Sequence, residues 1–248
     1  MKKKIFSLSG LIILLSSISA QAITIGADGK VIELDAYLNI GGEDLNGSAF
    51  GTSAQLSLDS LPTGLDFSFN STLSSDSKDL TLRYTFVNKT GKAIQNITFL
   101  SFLDVDIGTS GYSDYATTNG SLAAGENFEV DSPAGDYPPI FDNLLNGALS
   151  GTNAFPNSSQ TGDVSMALSF SQAELAENKS FIIDIMISEA ARSRSFSLIQ
   201  HDNDSPTTVT YSGAIVTASV PEASSFLLAG IGLLTLIGYR HKIRSSIQ

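Results

Sequence analysis

The chain of 248 residues has no cysteine, no tryptophan, two histidines, and 14 Lys and Arg against 25 Asp and Glu. Each shortage removes a class of chemistry. Without cysteine there is no disulfide framework, thiolate metal site or sulfur nucleophile, so the fold must stand on its core. Without tryptophan the best residue for a sugar-stacking platform is missing. His241 falls in the last eight residues, which leaves His201 as the one histidine of the body. The scarcity of cations is more severe than the formal charge of −11 suggests. Lys2, Lys3, Lys4, Arg240, Lys242 and Arg244 lie at the two ends, so eight cations face 24 acids between Ile23 and Ser219, an excess of 16 negative charges. Nucleic acid and anionic lipid are repelled by such a body. A hydrated surface, a divalent cation or a basic partner suits it.

Long apolar runs occur only near the termini. Lys2–Lys4 precede an apolar stretch from Ile5 to Ile18, and Ala20-Gln21-Ala22 is a small-x-small cleavage site. Residues 1–22 therefore read as a signal peptide removed by signal peptidase, with the mature chain starting at Ile23. At the other end Val220-Pro221-Glu222 is followed by the apolar FLLAGIGLLTLIG and then by Arg240, Lys242 and Arg244. The 17 residues Ala223–Tyr239 make about 25 Å of helix at ~1.5 Å per residue, slightly short of a usual permanent span, and the cations belong on the cytoplasmic side. This tail, residues 220–248, resembles the PEP-CTERM sorting domain, with Ala223 where that family has its second proline. The resemblance implies export by a Gram-negative, exopolysaccharide-producing bacterium, transient retention in the inner membrane, and cleavage by an exosortase near Val220-Pro221-Glu222.

Residues 23–219 read as one β domain. Leu80, Leu82, Tyr84 and Phe86 alternate with Thr81, Arg83 and Thr85, the pattern of a strand with one buried face. Residues 65–69, 164–170 and 181–187 alternate similarly. Asn88-Lys89-Thr90-Gly91-Lys92 carries turn chemistry, and the long run Ile94–Ile107 is expected to bend or bulge near Ser101. The sole helical candidate is the short Ser171–Asn178. Residues 108–120 and 131–160 have loop composition, the second holding four of the seven prolines. Several strands without sustained helix predict an antiparallel β-sandwich. The order YTFVN-KTGKA-IQNITFLSF with the later ELAENKSFIIDIMIS resembles an immunoglobulin-like extracellular module.

Asp104 and Asp106 are the sharpest candidates for a ligand site. Alternate residues of a strand share a face, so both carboxylates, with Asp114 and loop oxygens, are candidates to hold Ca²⁺. The alternative is a strand end whose acids are solvated. His201, beside Asp202 and Asp204, reads as a turn histidine, and no Gly-x-Ser-x-Gly elbow accompanies it. Tyr112, Tyr115 and Tyr137 offer apolar ring faces to a sugar or pack their own loops. No catalytic residue or organic cofactor is assigned. Two functions follow: a non-enzymatic surface or matrix protein, structural or adhesive in an exopolysaccharide or biofilm layer, and alternatively a secreted polysaccharide-active hydrolase on the same delivery route.

Overall fold

The computed structural model describes residues 23–25, 30–41, 49–50, 61–107, 112–133 and 139–216. The signal peptide, its site at Ala20 and Ala22, the motif Val220-Pro221-Glu222, the apolar tail and the basic residues Arg240, Lys242 and Arg244 lie outside them. The chain divides into two units, Met1–Val216 and Thr217–Gln248, and every described residue belongs to the first. Among the described residues no helix is long and apolar enough to cross a membrane.

The body is mostly β, arranged as two antiparallel sheets. Its strands are β1 (Ile23–Ile25), β2 (Lys30–Ile40), β3 (Ala49–Phe50), β4 (Leu65–Leu73), β5 (Asp79–Asn88), β6 (Ile94–Val105), β7 (Asp114–Gly120), β8 (Glu126–Asp131), β9 (Ser165–Leu175), β10 (Ser180–Ser188), β11 (Phe196–Asp202) and β12 (Ser205–Ile215). One sheet has the order β1-β2-β6-β9-β8, with β3 also on β2; the other runs β4-β5-β10-β12-β11-β7. Alternation decides which side of each strand is buried. Leu82, Tyr84 and Phe86 of β5 stand opposite Ile185, Ile183 and Phe181 of β10, and all six are buried. The Phe99 ring of the facing sheet closes on them, its centroid 4.5 Å from Tyr84 and 6.0 Å from Phe86. Burial of this continuous apolar layer is the main favourable term available to a chain without disulfides.

Four local expectations are corrected. Ser171–Asn178 is not a helix: β9 continues to Leu175, with Gln172 opposite Ile97 and Glu174 opposite Gln95. Ladder hydrogen bonds and the buried Leu175 outweigh the modest helical preference of Ala and Glu. The helix, α1 (Pro139–Asn146), lies in the stretch read as loop. Its grammar is ordinary. Pro139 occupies the first position, where its missing N–H costs nothing, Ile140 and Leu144 share one buried face, and Gly147 ends it at φ 71°. Residues 114–120 are strand rather than loop. β6 keeps one register through Ser101 against both β2 and β9; its irregularity is at Asn96, where φ is 52°.

α1 explains why β9 is buried on both faces. Ile140, Leu144 and Leu149 pack with Tyr37, Leu100, Phe102 and Ala167 on the side of the first sheet turned away from the main core. Glu129 anchors the helix to β8: its carboxylate accepts from Asn143 Nδ2 at 2.9 Å and from the Ser150 N–H at 2.9 Å. The chain beyond α1 then serves an exposed edge of each sheet. Thr152 O accepts from Val130 N–H, Val130 O from Ala154 N–H, and Phe155 O from Ala116 N–H, each at 2.9 Å. Gly162 exchanges both hydrogen bonds with Asp114. This strapping satisfies β8 and β7, edge strands that would otherwise present open backbone groups.

Candidate functional site: an acidic end of the two sheets

One end of the body collects carboxylates from several elements. Asp104, on β6, lies directly opposite Glu33 of β2 and Ser165 of β9. It shares the outer face with Leu100 and Phe102. Burial lifts its carboxyl to about 7, and the negative charges of Asp163, Asp106 and Glu33 push the same way. Asp35, two residues along β2 from Glu33, is buried where Asp104 is half-buried, and is raised to about 6 by burial and by Glu33.

Asp114 occupies a different face. It shares the inner side of β7 with Ala116, a core residue, and stands directly opposite Asp202 of β11. Burial raises its carboxyl to about 6; the Gln200 amide opposes that shift, while Asp202, Asp106 and Asp163 reinforce it. Gln200 is fully buried and bridges the sheets, its Nε2 donating to Val105 O at 2.8 Å and to Asp114 Oδ2 at 2.7 Å. Asp202 Oδ1 accepts from Ser113 Oγ at 2.6 Å and from the Asp204 N–H at 2.7 Å. Asp106 and Asp163 interact electrostatically with both the Asp104 and the Asp114 carboxyls, and so link the two faces.

The expected trio is therefore split. Asp104 lies on the outer face, Asp114 inside with Asp202 and Gln200, and Asp106 is coupled in charge to both carboxyls. Among the described residues no three His, Cys, Asp or Glu side chains converge as a metal-ligand set. Sequence reasoning missed Glu33, Asp163, Gln200 and Asp202. For the last two a signal existed: Phe196, Leu198, Gln200 and Asp202 keep strict period two, so the polar pair continues the buried face.

No family model, curated protein or solved structure matches the chain. Its site must be read from its own residues.

His201 is a strand residue, not a turn residue. Its ring stacks on Tyr115 at 4.8 Å with 11° between the planes, and Nε2 lies 3.0 Å from Thr117 Oγ1. Burial lowers its pKa. Asp202, adjacent in sequence, points to the other side of β11, so the two do not form a catalytic pair. Tyr115 is committed to this stack, Tyr112 is 72% exposed, and Tyr137 lies outside the described residues. The ion-paired arginines lie elsewhere. Arg83 grips Asp184 with both nitrogens, Nε–Oδ1 2.6 Å and Nη2–Oδ2 2.7 Å. Arg194 joins at 3.1 Å, and Arg192 pairs with Asp79 at 2.7 Å. None of the ion pairs seen among the described residues reaches the acidic end.

Proposed function

We propose that this chain is an exported cell-surface or extracellular-matrix protein, sorted by its C-terminal tail and cleaved there by an exosortase. Its body, an immunoglobulin-like sandwich in this reading, acts as a structural or adhesive module of an exopolysaccharide or biofilm layer. The observation that carries the reading is the order of the tail: Pro221-Glu222, a short apolar run, then Arg240, Lys242 and Arg244. A leader with a small-x-small site at the opposite end is consistent with it.

The body supports the reading on physical grounds. A two-sheet core without cysteine is indifferent to the redox state of the compartment it enters. Its excess of negative charge keeps it soluble and hydrated outside the cell. Replacing Pro221 and Glu222 by alanine tests the sorting step. The variant is expected to stay in the inner membrane with its tail attached, while the parent is trimmed and leaves. Normal trimming and export of the double variant would overturn the assignment.

A further inference from the structure

The inner side of the acidic end contains three buried oxygens without a donor, and they belong to side chains that already touch or face one another. Asp114 Oδ1, Asp202 Oδ2 and Gln200 Oε1 each have no hydrogen-bond partner. The residues are 2%, 6% and 0% exposed. Their other polar atoms are fully engaged and fix their placement. Gln200 Nε2 holds Asp114 Oδ2 and Val105 O, and Ser113 with the Asp204 N–H holds Asp202 Oδ1. Because Nε2 sits between two acceptors, the amide cannot be turned to offer its nitrogen to the free carboxylate oxygens.

Buried acceptors without donors are rare and costly. Two carboxylates directly opposite on one face of an antiparallel pair add like-charge repulsion. Asp106 and Asp163 deepen the negative potential, and the arginines that neutralise other buried carboxylates are spent on Asp184 and Asp79. A water has two protons to donate, so it serves two of the three oxygens and leaves the repulsion standing. A cation answers all three oxygens and the repulsion together. The donors are all oxygen, the preference of hard ions.

We propose that Asp114, Asp202 and Gln200 form a binding site for a hard divalent cation of the Ca²⁺ class at the inner, acidic end of the two sheets. Main-chain carbonyls or water complete the shell that such an ion requires. The ion ties β7 and β11 to the Val105 end of β6 through Gln200. The site is distinct from Asp104, which lies on the outer face, and it does not depend on the sorting function.

The test uses the full chain purified in mild detergent, stripped with chelator, and titrated at pH 8 with CaCl₂ and separately with MgCl₂ by calorimetry and thermal melting. The expected result is saturable uptake of about one Ca²⁺, and a midpoint raised by about 3–6 °C at tenfold excess over Kd. Asp114→Asn/Asp202→Asn abolishes both effects, and its metal-free midpoint stays at or above the parent's because the repulsion is gone. Asp104→Asn/Asp106→Asn retains both effects. Absence of binding heat and of any midpoint shift in the parent at about 10 mM Ca²⁺, well above the weakest extracellular affinities, would overturn the proposal whatever the variants do. So would a response that survives Asp114→Asn/Asp202→Asn.

Discussion

At the scale of single residues, Asn88 does most to join the two sheets at one corner. It ends β5 fully buried, donates from Nδ2 to Lys92 O at 2.7 Å and to Leu175 O at 2.8 Å, and accepts from Thr90 N–H and Oγ1. The turn it organises is not a hairpin, because β5 and β6 belong to different sheets. Asn88→Ala leaves the Leu175 carbonyl of the facing sheet without that donor and is expected to cost about 1–3 kcal/mol; Asn88→Asp, which keeps the acceptors and loses the donors, should cost at least as much. Urea unfolding of both variants checks this. The buried acids give a second prediction at the same scale. Asp104 and Asp35 bind protons more tightly folded, near 7 and 6, than unfolded near 3.8, so the folded state holds more protons within that window. Their contribution is complete below pH 4 and is lost as pH rises to 7, at about 1.4 kcal/mol per unit of displacement. His201, lowered by burial, works in the opposite sense as a single group. In chelator the melting midpoint should be higher at pH 5 than at pH 8, and Asp104→Asn should narrow the gap. An unchanged gap in that variant would remove Asp104 as its source.

At the scale of elements, legibility followed the range of the interactions involved. The strands of β5 and β10 were readable because period two is a local property and both carry it without interruption, with Leu82, Tyr84, Ile183 and Ile185 buried as expected. Tyr84→Ala and Ile185→Ala should each destabilise by ~2–5 kcal/mol, measured by chemical unfolding. The helix was misplaced for a definable reason. Ala173, Glu174 and Ala176 have helical preference, but the chain there is held in a ladder on β6, a decision made by a partner some eighty residues away. In contrast, Pro139, the Ile140/Leu144 spacing and Gly147 were a complete helix signature, concealed by the proline-rich composition around them. Leu144→Ala should cost ~2–4 kcal/mol and loosen α1 from Phe102 and Ala167, visible as faster amide exchange at Ala167 and Leu100. A protected first sheet in that variant would mean that α1 is decoration.

At the scale of the whole molecule, charge is segregated: three arginines neutralise buried carboxylates on the outer side of the second sheet, while none of the ion pairs seen among the described residues reaches the acidic end. Three acids of this end were legible. Asp104 and Asp106 stood out because they are close in sequence, and Asp114 because it follows shortly. Period two marks Gln200 and Asp202 as buried, but their meeting with Asp114, like the approach of Asp163, comes only through sheet order and register. The same distinction governs the functional account, since the tail is a contiguous signal and the body's chemistry is assembled in space. The intact mass of the protein recovered from outside the cell therefore decides whether the tail is a cleaved sorting signal. Removal of the leader and of the tail leaves a polypeptide that begins at Ile23 and ends close to Val220-Pro221-Glu222, without the apolar run. A recovered mass that includes Phe226–Gln248 would contradict that cleavage.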